Sequence, residues 1–555
     1  MLERVIENWL DNVTERSFEN SFCHMLAYRG YTVLHKTRHT GLEMGKDVIA
    51  VAEDGIPCVF QLKTAVNGTI KQRYWAREIQ DQVFTMIITP PVHPALKNYS
   101  HHRSYFVTNG KIEEEVTRQI DDLNRRFEAQ GCGHKKLEVI VKGQLSAWAK
   151  ELETDLWPSE LTDVRLLLEL FLEDGKDVLD KAKLSRLLEA CVNFESHPNK
   201  KESKRAVSSL ALLNAVAVSN YSNSKNYVAE IEAWVIYISY LFAYAEKWKI
   251  EKKIWSEEFN IAKNYIGQLL GELYKEVKSS EFYIEGDPST EPFLVYPIRM
   301  TYLISLMSIF SLWAECENFD DNEEIDQFCR EFCLKNKDYM LLWGEAAVPQ
   351  YLSFYWYYSK IDATISPSNF LLSAIGQIIA LNKPKNLPKQ ENVFRGNEHL
   401  YLPQNDGIAN AYYNSNELLP YLLGINDEPI EDHFLERSQT LWALIEIYVR
   451  LNFQRPVFMF WKDATYISEV EFKPKYKWHF FRWKNDEGEV VEEQKNGQKW
   501  PELRKQVQEI DYRNIPEKFK KEPILFLLFL CVYPHRISTS IVKWLDSEIR
   551  EQETD

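Results

Sequence analysis

The sequence has few cysteines, glycines and prolines for its length, and each shortage excludes a class of protein. Its 555 residues contain 8 Cys in no disulfide-framework spacing, so we expect reduced thiols in a cytoplasmic protein. With only 20 Gly and 22 Pro the chain is not a collagen-like fibre. Because 45% of the residues are hydrophobic and 27% are charged, we expect folded globular domains and not a disordered tail.

Apolar runs long enough to cross a membrane are also missing. The two most prominent, residues 300–314 and 523–534, fall short of the roughly 20 residues that span a bilayer, so we predict two buried core helices. The first seven residues are too acidic for a secretory signal. We therefore expect no membrane association and a cytoplasmic location.

The net charge of −16 excludes a uniformly basic nucleic-acid coat, but the charge is unevenly distributed. Residues 1–160 contain 20 Lys and Arg against 22 Asp and Glu, so that −14 of the total belongs to the remaining residues. The N-terminal part can therefore approach a polyanion more easily than the rest of the chain.

Residues 1–158 alternate helix and strand patterns. Their order, α-β-β-β-α-β-α-β-α, predicts an α/β domain built on a mixed central sheet. The predicted elements are a helix over 2–30, strands over 31–35, 48–52 and 58–62, a helix over 71–85, a strand over 104–108, a helix over 113–130, a strand over 137–141 and a helix over 145–152.

After about residue 161 the patterns are almost entirely helical. They predict a helical domain over residues 159–385 and a mostly helical C-terminal domain over residues 386–555. Residues 457–491 are predicted to form a β-hairpin. Within it, residues 473–484 interleave basic and aromatic side chains, which either bind nucleic acid or form a half-buried hairpin with its charges in water.

Polar side chains on two neighbouring strands of the α/β domain are predicted to meet. Asp47 precedes one short strand, and Gln61 and Lys63 lie on the next. Successive side chains of a strand alternate between faces, so Gln61 and Lys63 point the same way. If the two strands form a hairpin centred on Gly55, Asp47 lies opposite Lys63. We therefore expect a carboxylate, an amide and an ammonium group at one end of the sheet.

This set of groups suits metal-assisted hydrolysis of a phosphodiester. Asp47 and Glu19, which lies on the first helix, are predicted ligands of Mg²⁺, with Mn²⁺ as a substitute, because these ions bind hard oxygen ligands. The Gln61 side-chain oxygen and the Leu62 carbonyl are predicted to complete the shell. Lys63 is predicted to hold or help deprotonate the attacking water and to stabilise charge on the phosphorane.

The same residues resemble the PD-(D/E)xK nucleases, most closely their Mrr-like restriction endonuclease branch. The resemblance covers roughly residues 15–155 and implies that residues 1–158 have a restriction-endonuclease-like fold and cleave DNA with Mg²⁺. It departs at Lys46, where a small or aliphatic residue is frequent, and in a long insertion at 71–95, so the substrate details stay open. The matching motifs are Phe18-Glu19, Gly41 to Gly45-Lys46-Asp47, Gln61-Leu62-Lys63, Phe106 to Gly110, and Val141 to Leu145.

Basic residues follow the catalytic strand on the next predicted helix. Lys71, Arg73, Arg77 and Gln80 are predicted to contact DNA, mostly through phosphates that flank the scissile bond. The alternative is an ordinary helix surface whose charges face water.

An Mrr-like nuclease joined to a long acidic helical region is, by architectural analogy, typical of an effector of bacterial anti-phage defence. We expect the activity to be controlled by the helical region, by an operon-encoded protein partner or by self-assembly. Two alternatives stay open. One is a stand-alone restriction endonuclease that recognises sequence or methylation, and the other is a catalytically inactive scaffold that binds nucleic acid.

Overall fold

A computed structural model describes most of the N-terminal two thirds of the chain. By compactness the chain divides into residues 1–269 and residues 270–555. Helices that follow residue 158 therefore belong to the same compact unit as the sheet. The predicted boundaries at 158 and 385 both lie outside the described residues and stay predictions. The described residues are 2–36, 46–153, 161–279, 295–340 and 348–361, with short gaps at 66–67, 97–98, 100, 177, 193–196 and 320, and 515–532 with short pieces between 454 and 549.

The first unit is an α/β region followed by helices, in the predicted order except that the first helix is divided in two and that two short strands, 69–70 and 111–112, are added. The strands are β1 (Thr32–Lys36), β2 (Val48–Val51), β3 (Pro57–Lys63), β4 (Thr69–Ile70), β5 (Arg103–Thr108), β6 (Lys111–Ile112) and β7 (Leu137–Ile140). The helices are α1 (Leu2–Asn12), α2 (Glu15–Tyr28), α3 (Gln72–Tyr74), α4 (Gln80–Ile88), α5 (Glu114–Ala129), α6 (Lys142–Glu153), α7 (Leu161–Phe171), α8 (Lys181–Val192), α9 (Lys200–Ala217), α10 (Ser219–Asn223), α11 (Tyr227–Lys247) and α12 (Lys252–Ser279).

Five of these strands form one mixed sheet in the order β1-β2-β3-β5-β7. β2 is antiparallel to both β1 and β3, whereas β3, β5 and β7 run parallel. The predicted α/β region with a mixed central sheet is thus confirmed. Because β2 runs against β3, the start of β2 and the carboxyl ends of β3, β5 and β7 share one edge, where open α/β sheets usually bind ligands.

The hairpin between β2 and β3 turns one residue earlier than predicted. Val48 pairs with Phe60 and Val51 with Pro57, so the loop of residues 52–56 is centred on Asp54. The Asp54 carboxylate fixes this turn by accepting a hydrogen bond from the Ile56 N–H at 3.1 Å. A shift of one residue in the turn moves the pairing by two, and the expectation that Asp47 lies opposite Lys63 is therefore wrong.

The first predicted helix is in fact two helices, because Thr14 interrupts it. Thr14 has an extended backbone, and its side chain accepts a hydrogen bond from the Ser17 N–H, so it caps a new helix, α2. Every residue of α2 from Ser17 to Ala27 is buried. Its Phe22 ring packs edge-on against Phe60 of the sheet at 5.4 Å, as expected for a helix that covers β3.

The described helices of the second unit include both predicted core helices. Residues 300–314 lie within a largely buried helix, and the C-terminal run forms a buried helix that ends at Val532. Within the predicted hairpin at 457–491 the structure describes residues 469–471, which pair antiparallel with 454–456 just before the predicted range, and the basic-aromatic segment lies outside the described residues. The helices are Val295–Cys316, Asn322–Asn336, Val348–Ile361 and Pro523–Val532.

The expectation that the chain lacks an apolar run long enough to cross a membrane is wrong in one place, because α11 in the described part of the chain has the necessary length and hydropathy. Of the window that passes this test, 83% is buried inside the protein, as is usual for a core helix. The eight cysteines are free thiols.

Candidate metal centre

Asp47 stands immediately before β2, at the sheet edge where β3 ends. Its backbone N–H donates to the Phe60 carbonyl at 2.9 Å, which places it across from Gln61. Its Oδ2 atom accepts hydrogen bonds from the Gln61 amide at 2.7 Å and from the Leu62 N–H at 2.6 Å. Leu62 therefore contacts Asp47 through its N–H group, and a ligand role for the Leu62 carbonyl stays a prediction.

The Gln61 side chain also has a buried oxygen that the contact with Asp47 does not use. A carboxylate only accepts hydrogen bonds, so Asp47 must take the NH₂ end of the amide, which leaves the Oε1 atom for another partner. Gln61 is 1% exposed, and among the described residues its Oε1 atom has no hydrogen-bond donor. A buried acceptor of this kind is costly unless a donor or a cation satisfies it.

Lys63 ends β3 and points toward helix α2. Its ammonium group donates to the Glu15 carboxylate at 2.8 Å. Burial alone would lower the pKa of Lys63, but the carboxylates of Glu15 and Asp47 outweigh it and raise the pKa above its usual value. The charged form is therefore favoured, which suits stabilisation of negative charge better than removal of a proton from water.

Helix α2 contributes two carboxylates to the same place. Glu15 and Glu19 are one helical turn apart and so lie on the same helix face. One carboxylate oxygen each from Glu15, Glu19 and Asp47 lie within 4.8 Å of one another. The structure thus brings Glu19, Asp47, Gln61 and Lys63 together as predicted and adds Glu15. Sequence reasoning missed Glu15, although its i, i+4 spacing from Glu19 was the available signal.

The residues that directly follow β3 and β5 are connected by hydrogen bonds at this edge of the sheet. Asn109, which follows β5, is buried and accepts a hydrogen bond from the Ala65 N–H at 2.8 Å while its amide donates to the Leu10 carbonyl at 2.7 Å. At Gly110 a Cβ atom would lie 2.3 Å from the Ala65 side chain, so only glycine fits. Asn109 thereby fixes the segment that follows Lys63 to helix α1.

The predicted DNA-contacting side chains lie on the next helical stretch and face solvent. Lys71, Arg73, Arg77 and Gln80 are all exposed. Between α3 and α4 this stretch contains a π-helical turn over Trp75–Ile79, a feature frequent near functional sites. Its Tyr74 lies close enough to the centre for Lys63 to lower and Glu15 to raise the pKa of the phenol, although burial dominates and the net shift is upward.

The charge balance of the cluster favours a cation. Three carboxylates, of which Glu19 is buried and Glu15 and Asp47 are half-buried, converge beside the ammonium group of Lys63. Carboxylate and amide oxygens are ligands that Mg²⁺, Ca²⁺ and Mn²⁺ bind. Glu15, Glu19, Asp47 and the Gln61 Oε1 atom therefore form a donor set that suits a hard divalent cation without specifying which one.

No family model, no curated protein and no solved structure matches this chain. The interpretation of the centre accordingly depends on its own geometry.

Proposed function

We propose that the chain is a metal-dependent endonuclease that hydrolyses DNA phosphodiester bonds, with a restriction-endonuclease-like, Mrr-like nuclease domain near its N-terminus. One observation carries the proposal: Asp47, Gln61 and Lys63 meet at the carboxyl edge of a mixed sheet, with Glu15 and Glu19 of a covering helix beside them. This combination of acidic, amide and ammonium groups is the one that metal-assisted phosphodiester hydrolysis requires.

In this proposal Mg²⁺, or Mn²⁺ in its place, is held by Asp47 and Glu19, with the Gln61 Oε1 atom and Glu15 as further donors. When bound, the ion polarises the phosphate and lowers the pKa of its water. Lys63 remains protonated and stabilises the charge that develops on the phosphorane oxygens. Glu15 orients the Lys63 ammonium group toward the centre through their 2.8 Å contact.

The exposed side chains of the neighbouring helix supply the DNA contacts in this proposal. Lys71, Arg73 and Arg77 would bind phosphates, and Gln80 would reach a groove edge or the backbone. Tyr74, on the same stretch, interacts electrostatically with Lys63 and Glu15, which supports a place for this surface near the centre. Each phosphate contact should add to the salt dependence of binding.

We further propose a cytoplasmic effector of anti-phage defence that stays weakly active until an operon-encoded partner or self-assembly activates it. The near-neutral charge of residues 1–160 supports a modest intrinsic affinity for DNA, and the −14 of the remaining residues repels a phosphate backbone. Each centre would cut one strand, so double-strand breaks would require two nuclease domains on one duplex.

Plasmid cleavage with Mg²⁺ or Mn²⁺, with and without the operon partners, tests the activity. Asp47→Ala and Lys63→Ala should each reduce the rate by at least about 10²–10³-fold while the protein remains folded. Asp54→Asn is the matched control, because the asparagine oxygen can still accept from the Ile56 N–H and keep the turn at the other end of the hairpin, so that the change is confined to the exposed ion pair with Arg103. Its removal should leave cleavage unchanged.

The outcomes separate the proposal from its alternatives. Cleavage by Asp47→Ala at the wild-type rate would show that the centre is wrongly assigned. DNA binding without cleavage under any metal condition would indicate an inactive scaffold. Site-specific cleavage that depends on methylation and needs no partner would indicate a restriction enzyme.

A further inference from the structure

Helix α2 makes buried polar contacts on the face that points away from the metal centre. His24 follows Glu15 by nine residues, about two and a half helical turns, and so lies on the opposite side of α2. Its Nδ1 atom contacts a carboxylate oxygen of Glu258 on α12, and the other carboxylate oxygen of Glu258 accepts a hydrogen bond from Ser208 on α9. The three side chains are almost completely buried.

The His24 ring has little freedom to move. It stacks on Trp234 with the rings 5.4 Å apart and nearly parallel, and Tyr237 packs against it edge-on at 5.9 Å. Within the described residues its Nε2 atom has no hydrogen-bond partner. The contact between His24 and Glu258 is therefore the polar interaction that fixes this ring to the helical layer formed by α9, α11 and α12.

The N-terminal end of α2 is attached to the same helical layer. The Thr14 hydroxyl lies 3.2 Å from the Ser222 hydroxyl, and the Arg16 guanidinium lies 5.4 Å above the Tyr227 ring. On its other side α2 packs against the sheet through Phe22. The position of α2 along its own axis is thus fixed on both sides, by polar contacts with residues 200–269 and by the Glu15–Lys63 pair and the Phe22 contact with the sheet.

The metal centre is sensitive to this position. Asp47 and Gln61 belong to the hairpin and stay with the sheet, but Glu15 and Glu19 move with α2. One residue of helix corresponds to 1.5 Å along the axis, while a metal site needs ligand distances within about 0.2 Å. A displacement of α2 by a fraction of a turn would therefore separate its carboxylates from Asp47.

We propose that Glu258 is a positioning residue for the metal centre: through His24, and supported by Ser208, it holds α2 where Glu15 and Glu19 can share a divalent cation with Asp47. The inference depends on the proposed metal-dependent function. It makes Glu258 of helix α12, 234 residues after His24 in sequence, a support of the centre. A signal that shifts α12 would then change metal affinity without touching a ligand.

Titration of the full-length protein with Mn²⁺ by calorimetry tests this role. Glu258→Ala should weaken Mn²⁺ binding at least about tenfold, the usual loss when a residue that supports a metal ligand is removed. Glu258→Gln should restore binding to within about threefold of wild type, because the amide has the same length and still offers an oxygen to His24. Ser208→Ala, a milder change, covers the case in which Glu258→Ala does not fold, and should weaken binding by about threefold or more.

A buried ion pair elsewhere in the same unit provides the matched control. The ammonium group of Lys181 on α8 contacts Glu232 at 2.9 Å, and both side chains are 5% exposed. Lys181→Met should lower Tm, since it leaves a buried carboxylate without its cation, but it should keep the Mn²⁺ affinity within twofold of wild type.

Two results would overturn the inference. Unchanged Mn²⁺ affinity in both Glu258→Ala and Ser208→Ala would remove Glu258 from any positioning role. An equal loss in Lys181→Met would show a general effect of stability. Failure of the proposed metal centre would give a different result. Either wild type would not bind Mn²⁺, or Asp47→Asn would bind it as tightly as wild type. In both cases the inference about Glu258 would fail together with the proposed function.

Discussion

Replacing Gln61 with glutamate tests the candidate metal centre by changing one atom of a buried side chain. The Gln61 amide donates to Asp47 over 2.7 Å, so the new carboxylate would face another carboxylate at that distance. Two such charges repel by about 6 kcal/mol at an effective dielectric constant of about 20. The protein can avoid this repulsion by binding a proton on the new carboxyl group. At pH 7 protonation of a glutamate with an ordinary pKa of about 4.3 costs about 3.7 kcal/mol, and this smaller cost is the upper limit of the destabilisation.

Without metal, we expect Gln61→Glu to lower the free energy of unfolding of the first unit by about 2–4 kcal/mol and its Tm by on the order of 10 °C. Divalent metal should reverse the loss, because the carboxylate then gains a cation between itself and Asp47. A metal concentration one hundred times Kd contributes about 2.7 kcal/mol, enough to offset most of it. The rise in Tm on adding Mg²⁺ or Mn²⁺ should therefore be larger in the variant than in wild type.

The pH dependence of the metal-free variant has a definite sign. Repulsion raises the pKa of the introduced carboxyl in the folded state, so the folded protein binds more protons than the unfolded chain above about pH 4.3. Stability should therefore fall as the pH rises from about 4.5 toward the raised pKa and level off above it. Wild type lacks this carboxyl and should lack that component.

Thermal unfolding followed with and without metal, at several pH values, measures these effects. Gln82→Glu on the exposed surface of α4 is the control for the same chemical change, and its Tm should move by little. A Gln61→Glu protein that is as stable as wild type without metal at pH 8, and that gains no more from metal, would refute the reasoning about this centre.

Further predictions follow from the same contacts. Glu19→Gln should raise the Mg²⁺ concentration needed for half-maximal cleavage, by about 10-fold or more for a ligand, and an unchanged requirement would remove it from the ligand set. Glu15→Gln should lower the pKa of Lys63, measurable by NMR of the labelled lysine, because it removes the nearer of the two carboxylates that raise it. Burial and Glu258 raise the pKa of Glu257 to about 7 against a hydrogen bond from the Val33 N–H that lowers it. The free energy of unfolding should therefore decrease as the pH rises from about 4.5 to 7, by on the order of 1–2 kcal/mol after allowance for partial exposure. Loss of this decrease in Glu257→Gln would identify Glu257 as the group responsible. Residues 1–158 expressed alone should unfold without cooperativity in calorimetry, because they lack the helices that bury α2.

Much of the sheet could be predicted from local patterns, since each strand is short, apolar and bounded by turn residues. The register of the β2–β3 hairpin could not, because Asp54 and Gly55 are both turn residues and the choice between them shifts the pairing by two positions. The turn is defined by the hydrogen bond from the Ile56 N–H to Asp54 and by two backbone hydrogen bonds, from Gly55 to Ala52 and from Ala52 to Ile56. Gln61 and Lys63 were unaffected by this error, since an even shift keeps side chains on the same face.

The position of helix α2 along its axis could not be predicted from local sequence patterns. Phe18 and Phe22 lie four residues apart, a spacing that indicates a helix with an apolar face, and the Phe22 ring packs on Phe60 of the sheet. The same pattern says nothing of how far along its axis the helix sits, because an apolar face slides with little change in area. That position depends on His24 and Glu258, which no sequence spacing connects.

The division of labour within the centre follows from this difference. The hairpin carries Asp47 and Gln61 on one continuous piece of backbone, so their 2.7 Å contact is a local property of the sheet. The carboxylates of α2 lie on a separate element, which the Glu15–Lys63 pair connects to the sheet and which a layer of helices from residues 200–269 contacts on its other side. In the proposed enzyme the hairpin would hold two metal ligands, Asp47 and Gln61, in a fixed relation. The other two, Glu15 and Glu19, would move with α2, whose position the helical layer controls. Control by the helical region would then require no lid over the centre, only a small movement of α2.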